Sequence, residues 1–225
     1  MSLERTTPAG HGWRVTRYAS CVTFLGVTLI LFSGCSSNFK AVKPDASTGY
    51  FSQGKASSEE IKVFKPLAGI SEYQVLYLRT YFTFRDEGYH LFIREMFDNL
   101  GVFKKIVNRH EMEQFVIKSG LSGALSSVDD LVSLNRMSRV IGKFLVADAL
   151  LEKSRTGTGS YTFTIRIFNP RNGETFFAVA KKAFSVTGLD EPLLLPVFNA
   201  LSDWTKESKA LPAQEEKGTG PKTGI

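Results

Sequence analysis

Cysteine is nearly absent from the chain. Of 225 residues only Cys21 and Cys35 are cysteine, and both lie in the first forty. The remainder has no thiol to form a disulfide or hold zinc, so its fold rests on a hydrophobic core alone. Histidine is scarce as well. Beyond residue 34 only His90 and His110 occur. In "HEMEQ" (110–114) the second histidine of a His-Glu-x-x-His zinc helix is missing, and neither histidine has a partner at ligand spacing. A glycine-rich phosphate loop is also lacking. "RTGTGS" (155–160) falls in a hairpin turn and not ahead of a helix, so it does not qualify. No nucleophile sits beside a base, which counts against an enzyme. The longest mostly apolar run without charge, Tyr18 to Phe32, includes Ser20, Thr23 and Thr28. It falls short of the about 20 apolar residues that cross a ~30 Å hydrocarbon core.

That run has informative flanks. Arg5, Arg14 and Arg17 precede it, and the small residues Ser33 and Gly34 follow. A basic segment, a short apolar stretch and small residues make up a secretory signal. The next residue is Cys35, in "LFSGCSS", which resembles the lipobox of bacterial lipoproteins. In that family the cysteine thiol takes a diacylglyceryl group, the chain is cut before the cysteine, and the new amino terminus is acylated. The resemblance implies a signal peptide over 1–34, cleavage between Gly34 and Cys35, and lipidation of Cys35 that palmitate would label. Phe32 departs from the family, which usually has Leu there, although Leu31 is adjacent. Ser36 follows the cysteine where inner-membrane lipoproteins of Gram-negative cells have Asp. The resemblance therefore implies the outer membrane, facing the periplasm. Each buried acyl CH₂ contributes about 0.8 kcal/mol, so several chains on one residue anchor where one is marginal. The competing reading is a single-pass helix over 18–32.

Beyond residue 34 there are 25 basic and 21 acidic residues, a net charge of +4. The densest basic patch is Lys104, Lys105 and Arg109, with Lys118 beyond. It lacks the interleaved aromatics of a nucleic-acid surface, so nucleic acid is not an expected partner. Residues 35–60 are rich in Ser, Gly, Lys and Ala and are expected to form a flexible tether. About 25 such residues reach roughly 25–30 Å. Residues 61–208 are enough for one core. The polar, Pro/Gly-containing segment 209–225 is expected to be a disordered tail.

Within 61–208 the hydrophobic period changes repeatedly. Glu72 to Phe84 alternates as a strand, with Leu76, Leu78, Phe82 and Phe84 on one face. Tyr89, Phe92, Ile93, Met96, Phe97 and Leu100 follow a helical period, and Gly101 is placed to stop the helix. A short strand over "VFKKIVNRH" and a short helix over 111–119 come next. Ser127 and Asp130 read as a capping box opening a helix over 128–141, which Gly142 ends. Residues 144–152 are apolar enough for a central strand. In "SYTFTIRIF", Tyr161, Phe163, Ile165 and Ile167 face one way, while Thr162, Thr164 and Arg166 face the other. "NPRNGE" turns the chain into a hairpin partner over 174–186. A last helix carries Leu194, Val197, Leu201 and Trp204, with Pro196 at its start or at a kink. The expected fold class is α/β (α+β), a mixed sheet with helices packed on one face. The order is strand-helix-strand-helix-helix-strand-hairpin-helix.

"FIREMFDNLGVFKKIVNRHEMEQF", "MSRVIGKFLVADALLEKS" and "YTFTIRIFNPRNGETFFAVAKKAF" together resemble the periplasmic α/β domains of envelope lipoproteins. This group includes the curli-secretion lipoprotein, the TolB amino-terminal domain and the lipoprotein activators of penicillin-binding proteins. The resemblance covers about 130 residues and concerns fold more than activity. It implies a non-catalytic binding or assembly module for a secretion, appendage or cell-wall machine. No cofactor and no metal are expected. The expected partners are the membrane, through the lipid, and envelope proteins, while self-association is left open. A lipid-transport auxiliary lipoprotein is an alternative, which an apolar groove would mark. An envelope enzyme is another.

Four local features carry sharper expectations. Glu111 with Glu113 and Asp129 with Asp130 sit at helix starts, where the dipole favours carboxylates. Asp148, in "VADALL", is costly in an apolar strand unless paired. By the family resemblance it lies at a strand start, where capping is expected. Phe176 and Phe177 are adjacent, so alternation sends them to opposite faces. An exposed one would mark a partner surface unless a helix covers it.

Overall fold

The densest alternation, Tyr161 to Ile167, lies in the hairpin of a six-stranded sheet. The structure is a computed structural model. It describes residues 40–212 except 86, 87, 124, 126, 156–158, 186 and 187. The expected signal segment, Cys35 and the last thirteen residues lie outside the described residues. The strands are β1 (Ile61–Phe64), β2 (Val75–Phe82), β3 (Lys105–Val107), β4 (Phe144–Lys153), β5 (Ser160–Phe168) and β6 (Thr175–Phe184). The helices are α1 (Tyr89–Asn99), α2 (Arg109–Lys118), α3 (Leu131–Ile141) and α4 (Leu195–Ala210). Spatial order is β1-β6-β5-β4-β2-β3. β2 runs parallel to β3 and β4, and the β4-β5-β6-β1 pairs are antiparallel. This is the expected mixed α/β sheet, with β1 added at one edge. No described helix is long and apolar enough to cross a membrane.

The expectation that helices cover one face is corrected. α1 and α4 pack on one face, over Leu76, Leu78, Leu145, Ala147, Phe163, Ile165 and Phe177. α2 and α3 pack on the other, where Met112, Val116, Leu134 and Met137 meet Tyr77, Val107, Phe144 and Val146. The cause lies in β4, whose first four residues are buried on both sides. A strand apolar on both faces needs a layer on each.

The flexible tether expected over 35–60 is also corrected, for residues from about Val42 onward. α4 is buried nearly all round, polar positions included. Its outer side is covered by residues 48–54, held by side-chain bonds to their backbone. Asn199 Oδ1 accepts from the Phe51 amide at 2.7 Å, and its Nδ2 donates to the carbonyls of Ser52 (2.7 Å) and Gly54 (2.6 Å). Ser202 Oγ and Lys206 Nζ bond the carbonyls of Gly49 and Thr48, each at 2.8 Å. The Tyr50 hydroxyl donates to Asp203 Oδ1 at 2.6 Å. Phe51 is buried against Phe198, ring centroids 6.1 Å apart. At Gly49, φ is 69°, and an added Cβ would lie 3.0 Å from the Lys206 side chain. The positive φ is what favours glycine there, since the lysine tip can move aside.

Two smaller corrections, and one expectation that is met, follow from local chemistry. The helix expected from Val128 starts at Leu131. Asp130 is its cap, accepting from the Ser133 amide at 2.8 Å, and Ser127 Oγ instead accepts from the Asp129 amide at 3.0 Å. Phe176 and Phe177 are both buried. The β5–β6 register slips between Ile167 and Phe168, and the extra residue turns Phe176 toward the core that holds Phe177. The expected marker of a partner surface is therefore absent at that position. Pro196 lies in the first turn of α4, where its missing N–H costs nothing.

The β1 edge carries a pH dependence. Glu60 takes Lys181 Nζ at 2.9 and 3.1 Å and the Ser57 amide at 2.6 Å. Burial pushes its carboxyl up, but the bonds from Lys181 and Ser57 outweigh that and hold it below its ordinary 4.5. A lowered folded value contributes stability above the unfolded value, and that stability is lost as pH falls through the folded one. The exchange protection factor of the Ala180 amide, which bonds the Glu60 carbonyl at 2.9 Å, should therefore fall as the pH drops below that ordinary value. Glu60→Gln should remove that acid dependence at this edge.

Candidate functional site

α2 and α3 cover only part of their face. Along β2 and β4 the covered residues are Val75, Tyr77, Phe144 and Val146. Further along, the same face presents Tyr81, Leu150, Thr162, Thr164, Ala178, Ala180, Lys182 and Phe184, all half-buried or exposed. Register places them together. Leu150 is opposite Thr164, which is opposite Ala180, and Thr162 is opposite Lys182. The centre of this patch is flat because its side chains are small. Tyr81 and Phe184 are 44 % and 67 % exposed at its margins.

A charge network stands where the covered and open halves meet. Asp148 lies mid-strand in β4, opposite Arg79 of β2 and Arg166 of β5. Arg79 Nε donates to Asp148 Oδ1 at 2.6 Å, with a second guanidinium nitrogen at the same distance. Arg166 donates to Oδ2 at 2.9 Å. Arg79 also donates to the Asp129 carbonyl at 2.6 Å, tying the sheet to the start of α3. The Asp129 carboxylate accepts from the Tyr77 hydroxyl at 3.2 Å and pairs with Arg109 at 3.1 Å. Burial pushes the Tyr77 phenol well above its ordinary value, and the neighbouring Asp129 adds to this, so it stays a donor. The Arg166 guanidinium stacks 4.6 Å from the Phe168 ring centroid, and that of Arg79 is 5.7 Å away. Cations so placed gain about 0.5–1 kcal/mol each when exposed.

The capping role expected for Asp148 is thus corrected: it is a paired carboxylate in the middle of a strand. Glu111 and Asp130 do serve helix starts. Glu111 and Asn108 form the capping box of α2, and Asp130 caps α3. Glu113 pairs with Arg109 one turn back, at 3.0 Å. His90 and His110 are exposed on different helices. Among the described residues no group of three His, Cys, Asp or Glu could hold a metal. Arg79 was not legible as a network member, because its two partners are far along the chain. Arg166 was legible only as a wet-face residue.

Both Asp148 oxygens are occupied by guanidiniums, and Asp129 is taken by Tyr77 and Arg109. Neither carboxylate is available as a base. The network fixes the platform, and the platform offers flat area, one stacked cation and two aromatic margins. An apolar cleft between α2, α3 and β3, lined by Val75, Met112, Phe115 and Ile141, has a volume of about 40 Å³. That admits about one water and no acyl chain.

No family model matches the chain, and no curated protein matches it. Several solved structures are loosely similar. The C-terminal domain of LpoB from Salmonella enterica is 14 % identical with a TM-score of 0.37, over 53 % of this chain and 88 % of that one. The PelC dodecamer from Paraburkholderia phytofirmans is 12 % identical with a TM-score of 0.34, over 69 % and 96 %. The lipoprotein GNA1162 from Neisseria meningitidis is 10 % identical with a TM-score of 0.35, over 50 % and 81 %. Likenesses this loose say nothing of what this chain binds.

Proposed function

We propose that this protein is a lipid-anchored, non-catalytic binding module of the bacterial envelope. Cys35 carries the acyl chains, after cleavage between Gly34 and Cys35, and the α/β domain faces the periplasm from the outer membrane. The observation that carries this reading is the sequence "LFSGCSS" behind a basic segment and a short apolar run. The uncovered half of the sheet is the proposed docking face for an envelope protein. It is flat, half-apolar and bordered by Tyr81, Phe184 and Arg166, the residue types enriched at protein interfaces. The fixed segment changes what the anchor does. Val42, whose carbonyl accepts from Asn99 Nδ2 at 3.0 Å, is seven residues on from Cys35. Seven extended residues span at most about 25 Å. The domain is held near the bilayer surface and does not range far from it.

The test is expression of Cys35→Ser beside wild type in a Gram-negative host. Wild type should incorporate labelled palmitate and fractionate with the outer membrane. The variant should take no label and leave that fraction. A variant that stays membrane-bound, beside a wild type without label, would instead make residues 18–32 a spanning helix.

A further inference from the structure

One end of the sheet gathers unpaired positive charge. β2, β3 and β4 all begin there, because Val75 is opposite both Lys105 and Phe144. β5 ends and β6 begins at the same end, since Val146 is opposite Phe168. Four basic residues belong to this end. Lys104 and Lys105 are at the start of β3, Arg139 is in the last turn of α3, and Arg171 is in the β5–β6 turn. All four are exposed, and none has an ion pair among the described residues. The acids nearby are committed elsewhere, with Glu72 paired to Lys143 and Glu174 to Lys65.

Between α3 and the β5–β6 turn this end opens into a groove of about 390 Å³. Arg136, Arg139 and Arg171 line it with Asn135, and among the described residues no carboxylate does. Arg171 has one long guanidinium bond, 3.4 Å to the Ser138 carbonyl. Asn172, Leu131 and Val132 complete the lining, and the two aliphatics are 48 % and 64 % exposed. α3 contains no acidic residue. A helix that buries one side and shows aliphatics with arginines on the other suits a surface that is anionic outside and apolar beneath.

The chain that leads to Cys35 leaves at the same end. Val42 is held by Asn99 at the last turn of α1, and α1 ends only a short loop before Lys104. We propose that this end of the domain rests on the bilayer, with Lys104, Lys105, Arg139 and Arg171 on anionic phospholipid headgroups and a headgroup phosphate in the arginine groove. This rests on the anchored reading for the presence of a membrane, but the lipid contact is tested without the anchor. An acidic protein surface would also suit these four basic residues, but nothing would then relate it to the point where the chain departs.

The experiment uses the mature chain exported behind a cleavable signal with Cys35→Ser, so that no acyl group contributes. It is mixed with phosphatidylcholine vesicles, with and without phosphatidylglycerol, and binding is read by co-sedimentation. Binding is expected only with phosphatidylglycerol. It should fall away as the Debye length drops from about 10 Å at 0.1 M salt to about 3 Å at 1 M. Each lysine or arginine near an anionic surface is worth about fivefold in affinity. Arg139→Gln with Arg171→Gln should therefore weaken binding about 30-fold with unchanged circular dichroism. If that pair unfolds the domain, Lys104→Gln with Lys105→Gln provides the same comparison from two exposed positions. Equal binding with and without phosphatidylglycerol overturns the proposal, as does binding that neither pair weakens. Palmitate labelling of Cys35 is a separate readout, so failure of the anchor and failure of the lipid contact are told apart.

Discussion

Asn199→Ala will cost the domain about 3 kcal/mol and loosen residues 48–54 from α4. Asn199 is fully buried and holds one amide and two carbonyls of that segment. An unsatisfied buried backbone group costs about 1–3 kcal/mol. Three such groups would cost more than the prediction, but the released segment can turn some of them to water. Phe51 loses its seat against Phe198 in the same event, which adds a packing loss. For a domain of this size about 3 kcal/mol lowers Tm by roughly 6–12 °C. Trp204 reports the transition. It is fully buried, and the only other tryptophan, Trp13, is in the segment expected to be cleaved. Asn199→Asp separates polar loss from volume loss. It keeps the acceptor for Phe51 but turns a second acceptor on the Ser52 and Gly54 carbonyls. It should cost at least as much as alanine, despite its near-identical shape. If Asn199→Asp were neutral, the segment would be held by Phe51 packing and not by this amide.

The same segment shows where sequence reading stops. Residues 36–60 have a composition that buries little, and composition counts only what a stretch can bury by itself. Its described residues contribute Phe51, the Tyr50 hydroxyl, two alanines and a set of backbone groups. Its partners are side chains of α4, some 145–158 residues on. In the sequence those α4 residues are the polar positions between Val197, Leu201 and Trp204 and beyond them. Nothing local distinguishes a polar side that meets water from one that meets backbone. By contrast, the hairpin was legible because each of its strands carries its own period, and α1 because six apolar residues repeat at helical spacing with Gly101 after them. β4 was legible as central from its apolar run. A strand apolar on both sides calls for helices on both faces. The Phe176 bulge was hidden because alternation assumes an unbroken register.

The candidate site was half legible for the same reason. Asp148 stood out as a carboxylate among apolar residues, which requires a partner. Its partners are 69 residues before it and 18 after. Only the sheet order, with β4 between β2 and β5, brings them to it.

Asp148→Ala is expected to cost about 2–3 kcal/mol. The Arg79 side chain is 10 % exposed and that of Asp148 20 %. Breaking a fully buried pair costs about 3–5 kcal/mol, because the remaining charge is left uncompensated. Water reaching the open half of the sheet reduces this, and Arg79 keeps its bond to the Asp129 carbonyl. The double variant Arg79→Leu, Asp148→Leu removes the charge and its counter-charge together. It should lie within about 1 kcal/mol of wild type, since a well-packed apolar pair replaces a desolvated ionic one. Urea unfolding followed through Trp204 measures all three. If the double variant were as unstable as Asp148→Ala, packing and not charge balance would be the network's contribution. Arg166 separates scaffold from docking face. Its side chain is 50 % exposed, so Arg166→Ala should cost under about 1 kcal/mol even with the lost stacking on Phe168. A partner that docks on the open sheet would lose affinity with Arg166→Ala while the domain stays folded. Retained affinity would move the docking face away from the open half of the sheet and leave Arg166 as a brace for Asp148.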